Sequence, residues 1–359
     1  MSNISSLGKE GFSPQEEMLE LKHKQSSLFI GLPKEKALQE NRISIVPDAV
    51  NLLVSHGHDV LVESGAGDNA SFTDNQYSEA GAKIVYDVKE VYQADIIIKV
   101  EPPTMEEIKL MKGRQTLISA LQITTQSKEY IEQLLQKKIT ALAFEYIHDE
   151  SGLMPFMRSM SEIAGNTSLL IASEYLSNVN NGKGLMLGGV AGVTPTEVVI
   201  IGAGTVGECA ARAAMGLGAS VKVFDNSLSK LRRLQNDLNT RVYTSIIQPK
   251  VLSKALRRAD VLICAIRSNH KRTPCVVSDE MVQAMKDGSV IVDISIDQGG
   301  CVETSELTNH SSPVFTKHGV VHYCVPNIPS RVARTASFAL SNLLTPTLLR
   351  IADEGGLEN

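Results

Sequence analysis

One segment, Val198-Val199-Ile200-Ile201-Gly202-Ala203-Gly204-Thr205-Val206-Gly207, constrains this chain more than any other. A β-branched run reads as a buried strand, and three glycines spaced G-x-G-x-x-G follow it directly. The stretch after Gly207 is rich in alanine and reads as a helix. Asp225 closes the next apolar run, Ser220 to Phe224, 23 positions after Gly202. A G-x-G-x-x-G pattern alone is weak; strand, helix and downstream acid together make it a dinucleotide-binding fingerprint. Gly202 permits the tight turn, Gly204 lets the backbone approach a pyrophosphate, and Gly207 lets helix and strand pack closely. The helix N-terminus then faces the phosphate charge, with Thr205 and Val206 in its first turn. Asp225 would accept hydrogen bonds from ribose hydroxyls and repel a 2′-phosphate, which favours NAD over NADP. Lys230 either tempers that preference or lies on the solvated face of its helix.

Around this unit the chain alternates short apolar runs with helical stretches. Strands are expected at Leu28 to Gly31, 59–62, 83–85, 95–100, 115–119 and 140–144. Helices are expected at 47–56, 73–80, 105–111 and 127–136. A helix over 161–176 and a glycine-rich loop, Gly182 to Gly192, lead into the second half. That half carries strands at 196–201, 220–224, 261–265 and 289–294, and helices at 207–217, 228–238 and 251–258. Such alternation predicts an α/β protein with two Rossmann-like domains built on parallel sheets. Residues 1–155 form the N-terminal part of a substrate domain, 156–333 the NAD-binding domain, and 334–359 a helix that returns to the first. The cofactor domain is thus inserted in a split substrate domain. Ser13-Pro14-Gln15-Glu16 reads as a capping box that opens a short helix ahead of the first strand.

Composition removes several function classes. A net charge of -5 without a basic block offers no footprint for nucleic acid. No apolar stretch is long enough to span a bilayer. The five cysteines are odd in number and show no CxxC spacing, which suggests neither a disulfide framework nor a metal site. A reducing, cytoplasmic compartment fits that usage.

Several runs in order over most of the chain resemble the alanine dehydrogenase and nicotinamide nucleotide transhydrogenase α-subunit family. They are Gly31-Leu32-Pro33-Lys34-Glu35, Asn41-Arg42-Ile43-Ser44-Ile45-Val46-Pro47, Glu63-Ser64-Gly65-Ala66-Gly67 and Met160-Ser161-Glu162-Ile163-Ala164-Gly165. The GAGTVG loop, Ile296-Asp297-Gln298-Gly299-Gly300-Cys301 and His318-Gly319-Val320-Val321-His322-Tyr323-Cys324-Val325 complete the set, and the last two look closer to alanine dehydrogenase. The resemblance implies an NAD-dependent amino-acid dehydrogenase that converts L-alanine to pyruvate and ammonia, assembled as a homo-oligomer. It places Arg42 on the substrate carboxylate and Asp297 in the active site, with Ser161 and Ile266 as further cofactor candidates. The small-molecule partner is an amino or keto acid.

Two substrate-site positions depart from that pattern. Where alanine dehydrogenases read Lys-Val-Lys-Glu-Pro, this chain reads Lys99-Val100-Glu101-Pro102-Pro103, so Glu101 stands at the lysine that holds the substrate carbonyl. Lys99 could replace it only through a backbone shift. Leu121-Gln122 stands where the family carries its catalytic histidine, and a glutamine cannot transfer a proton. Asn166 replaces a usual arginine, and the chain stops short of the family's usual C-terminal segment. His322 is a possible site residue, though a satisfied structural histidine is the plainer reading. Two alternatives therefore accompany the dehydrogenase: a non-catalytic NAD(H)-binding homologue and a transhydrogenase α-subunit-like protein.

Overall fold

In the computed structural model, residues 26–37, 39–267 and 272–356 are described. The expected helix at Ser13 to Lys22 lies outside them.

The first half folds as β1 (Phe29–Leu32), α1 (Pro47–Ser55), β2 (Asp59–Glu63), α2 (Asp74–Glu79), β3 (Lys83–Val85) and α3 (Val88–Val91). It continues through β4 (Ile96–Ile98), α4 (Met105–Leu110), β5 (Thr116–Ser119), α5 (Lys128–Gln136) and β6 (Thr140–Ala143). These strands form one parallel sheet in the order β3-β2-β1-β4-β5-β6. Strand order reverses between β1 and β4, and open α/β sheets bind ligands at such a switch point, outside the carboxyl ends of the strands.

A long helix, α6 (Pro155–Leu176), leads into the second half, with β7 (Glu197–Ile201), α7 (Thr205–Gly216), β8 (Ser220–Phe224), α8 (Leu228–Leu238) and β9 (Tyr243–Ser245). Then come α9 (Pro249–Leu256), β10 (Val261–Cys264), α10 (Asp279–Gln283), β11 (Val290–Asp293), β12 (Val314–Lys317), β13 (Val320–Tyr323) and α11 (Ala333–Asp353). Their sheet runs β12-β13-β11-β10-β7-β8-β9, with its own reversal between β7 and β10. The α/β reading with two Rossmann-like sheets therefore holds, with one correction to the expected parallel pairing. Strand β12 pairs antiparallel with β13, because His318 and Gly319 join them in two residues, both at positive φ (52° and 74°). Two residues in that conformation make a hairpin turn, whereas a parallel connection needs a dozen residues or more.

Helix α6 threads both halves: Phe156 lies in the core of the first sheet, and Ala164, Leu169, Ile171, Ala172 and Leu176 lie in the core of the second. It crosses α7 closely, since a Cβ on Gly165 would sit 2.5 Å from the Val206 carbonyl oxygen. The last helix, α11, returns to the first sheet, where Leu340, Leu344 and Leu348 are buried beside Ile43, Val50 and Phe72. Among the described residues no helix is long and apolar enough to cross a membrane.

Because Leu340 is fully buried in the core of the first half, Leu340→Ala is expected to cost about 2–5 kcal/mol. Urea unfolding followed by circular dichroism checks this, and an unchanged midpoint would mean that α11 contributes little to that core.

Candidate active site

The two switch points carry different chemistry. On the second sheet, β7 ends in the glycine loop, and a Cβ on Gly207 would meet the Gly202 carbonyl oxygen at 1.9 Å. That contact admits no side chain, so the helix lies against the turn because the residue is glycine. A Cβ on Gly204, by contrast, would have nothing within 4 Å. Gly204 is also the N-cap of α7 and has no side-chain cap, so the helix starts with its amide groups toward open space. An anion is the natural partner for that end. The observed loop fits a pyrophosphate.

Asp225 follows β8 directly; its Oδ2 accepts from the Ala203 amide at 2.8 Å and its Oδ1 from the Ser227 amide at 2.7 Å. Each carboxylate oxygen keeps a lone pair for a ribose hydroxyl. Thr205 and Val206 are half-buried in the first turn of α7, and Lys230 is exposed in the first turn of α8. Ile266 leaves β10 with its amide donating to Ser295 Oγ at 3.1 Å, which ties the two loops facing the cofactor side. Ser161 lies on α6 one turn before Gly165, hence beside the start of α7.

On the first sheet, the loop after β1 brings Glu35, Glu40 and Arg42 against Lys99 and Glu101, which follow β4. Arg42 Nε donates to Glu40 Oε1 at 2.7 Å and its Nη2 to Glu40 Oε2 at 2.5 Å, a bidentate pair. The same Nη2 reaches Glu101 Oε1 at 3.2 Å. Gln122, after β5, donates from Nε2 to Glu101 Oε2 at 2.8 Å. Gln122 has a positive φ of 47°, and the Glu145 carboxylate holds its backbone in that conformation by accepting from its amide at 2.8 Å. Arg42, Glu101 and Gln122 are therefore brought together.

The charges at this site divide unevenly. Burial disfavours the charge on Glu40, but the Arg42 guanidinium outweighs it and holds the carboxyl down at about 2. Burial also pushes Glu101 up, to about 7; Arg42 opposes the rise and the negative Glu40 adds to it.

Lys99 does not take the place of a substrate-facing lysine. Its ammonium is buried between Glu35 at 3.1 Å and Glu107 at 3.2 Å. Burial alone would lower its pKa, but those two carboxylates raise it, so the charge stays and is fully engaged. His322 is likewise held within the second half. It is fully buried, bonded to Thr304 at 2.7 Å and the Val320 carbonyl at 2.9 Å, and stacked on Phe315. Asn166 is exposed on α6 and donates to the Glu162 carbonyl at 3.0 Å.

Asp297 lies in the short 3-10 turn after β11, with its side chain reaching solvent. Surrounding protein mass desolvates the carboxyl and pushes it up to about 6, with the charge of Asp293 adding and Arg267 opposing. Asp293 itself meets Cys264 and Cys301 within 4.8 Å, a juxtaposition that sequence spacing did not suggest. Its oxygens already accept from the Ser295 and Cys301 amides and from Ser305 Oγ, which makes it a brace for the Asp297 turn.

Two residues of the Arg42 cluster escaped the sequence reading, Glu40 and Asn327. Asn327 Nδ2 donates to Glu40 Oε2 at 2.7 Å and lies 3.5 Å from Glu101 Oε1. It follows β13, at the carboxyl end of the second sheet, with a positive φ of 57°. An asparagine behind a proline is a turn signal, and it was the available hint.

Fold and site together define a two-domain α/β protein with a dinucleotide loop on one sheet and a buried arginine–carboxylate cluster on the other. Residues 31–164 match the family described as alanine dehydrogenase/PNT, N-terminal domain, and residues 168–359 match its C-terminal domain. The chain belongs to that family. It is 41% identical to the alanine dehydrogenase of Bacillus subtilis (strain 168), over 92% of this chain and 87% of the relative. It is 42% identical to the alanine dehydrogenase of Methanococcus maripaludis, over 91% of this chain and 88% of the relative. Its fold matches a solved L-alanine dehydrogenase with a TM-score of 0.85 at 39% identity, covering 91% and 90% of the two chains. A transhydrogenase from Sinorhizobium meliloti matches with a TM-score of 0.79 at 25% identity, covering 90% and 94%.

Gly204→Val would fill the open space at the α7 N-terminus. NADH binding, read by calorimetry, should be lost while the unfolding midpoint stays within a few degrees of native. Retained affinity would remove the loop from the cofactor site.

Proposed function

We infer that this chain is an NAD-dependent amino-acid dehydrogenase of the alanine dehydrogenase type. The reaction is L-alanine + NAD⁺ + H₂O → pyruvate + NH₄⁺ + NADH + H⁺. The observation that carries it is the pair of switch points, a dinucleotide loop after β7 and a buried arginine after β1, in a chain of this family. NAD, when bound, accepts the hydride.

The protein's share is to bind, orient and manage charge. The glycine loop and the α7 amides hold the pyrophosphate, and Asp225 holds the ribose. Ser161, Thr205, Val206 and Ile266 line the same region, while Lys230 stands at its solvent edge. Arg42 is the cation for a substrate carboxylate; among the described residues its Nη1 meets only the Met160 sulfur at 3.4 Å, a weak acceptor that a carboxylate displaces readily. Asp297 supplies the negative charge that steadies a cationic iminium, and its carboxylate can serve as a proton acceptor. Gln122 cannot titrate, so it positions Glu101 rather than shuttling protons.

A homo-oligomer fits the apolar side chains that this chain exposes on and after α6, at Leu170, Val179, Met186, Val190 and Val193. A cytoplasmic setting fits its five free cysteines. A second reading, NAD(H) binding without turnover, draws on the occupation of Arg42 by two carboxylates.

The test is NADH formation with L-alanine and a panel of L-amino acids, beside direct NADH binding. Binding with no turnover of any amino acid would select the second reading. Within the dehydrogenase reading, Glu101→Lys combined with Gln122→His should raise alanine-dependent NADH formation by roughly 10²-fold or more. The double variant should exceed either single change, because acid–base partners act as a unit. A double variant no faster than native would show that these positions do not limit the reaction.

A further inference from the structure

We propose that Glu101 is the specificity-determining residue of this site: its carboxylate stands on Arg42 Nη2, beside the Nη1 that a substrate carboxylate would take, so carboxylate ligands bind against its charge. This rests on the reading of Arg42 as the substrate cation.

The geometry leaves Glu101 little else to do. It arrives on the loop after β4, at the switch point, and its two oxygens are aimed by different partners. Oε1 faces Arg42 Nη2 at 3.2 Å, and Oε2 accepts from Gln122 at 2.8 Å. The guanidinium already carries Glu40 on its Nε and Nη2 face. A second carboxylate on the same cation is more than charge balance requires. The neighbouring cation, Lys99, is consumed by Glu35 and Glu107. Two cations therefore face four carboxylates, and an incoming anion meets a like charge where the family's pattern has a lysine.

That repulsion has a proton in it. When Glu101 is neutral it no longer repels the ligand, and its O–H becomes a donor. The groups that face it are Arg42, Glu40 and Asn327, with Glu35 behind them and Gln122 on the other side. Glu40 stays charged through the physiological range, so Glu101 is the member of the pair that takes up the proton near pH 7. Carboxylate ligands should thus bind more tightly as pH falls through that value. Pyruvate is a suitable probe because its own carboxylate does not titrate there.

The experiment is pyruvate binding to the full chain saturated with NADH, from pH 6.5 to 8.5, for native protein, Glu101→Gln and Glu101→Ala. Native affinity should fall by roughly tenfold or more across that range. Both variants should bind at least tenfold more tightly than native at pH 8.5, with the pH dependence flattened. NADH affinity equal to native in each variant certifies the fold. Variants that keep native affinity and native pH dependence overturn the proposal, as does pyruvate binding that is undetectable in all three proteins. Turnover of pyruvate and ammonia is followed in parallel. Tighter, pH-independent binding without turnover leaves the inference standing and the dehydrogenase reading fallen; turnover indifferent to Glu101 does the reverse.

Discussion

The Arg42–Glu40 pair sits where the first sheet, the second sheet and the returning chain meet. A guanidinium with only 8% of its side chain exposed has lost most of its water and must be met by fixed acceptors. Glu40 supplies them in bidentate geometry, and Asn327 holds Glu40 from the opposite direction. Three separate loops are therefore pinned to one cation. Removing either charged partner would strand the other in a site with little solvent. The loop after β1 has its course set by this need as much as by its own sequence.

The same logic extends outward. Glu107 serves twice: its Oε2 accepts from the Thr104 amide at 2.7 Å to cap α4, and its Oε1 pairs with Lys99. Helix α4 is thus started by the residue that neutralises the buried Lys99. On the second sheet, Asp293 closes the turn leading to Asp297 through three hydrogen bonds. Both candidate carboxylates, Glu101 and Asp297, stand on short segments whose backbones are fixed by buried polar groups.

How much of this was legible in the chain depends on range. The glycine loop could be read because its determinants are local: a β-branched strand, three spaced glycines and an acid at the end of the next strand. The helices at 228–238 and 105–110 could be read for the same reason, each with a Ser or Thr cap ahead of it. The antiparallel edge strand escaped because its signal is two residues at positive φ rather than a turn dipeptide of the usual composition. The burial of Lys99 escaped because its partners come from 64 residues before it and from the start of the next helix. Glu101 and Gln122 stood out as departures from a family pattern. Only the fold shows that the two departures touch, with one glutamine amide donating to one carboxylate oxygen.

The return of α11 also sets an order of assembly during synthesis. Its leucines complete the core that β1 and α1 begin, and the Ser26 amide bonds to the Ala352 carbonyl at 3.2 Å. While the chain emerges from its N-terminus, that first core lacks one wall until residues 333–353 appear. The second sheet has no such debt, since its strands lie within a continuous stretch from Glu197 to Tyr323. The cofactor-side domain can therefore close as soon as its own strands are made, while the first waits for the final helix.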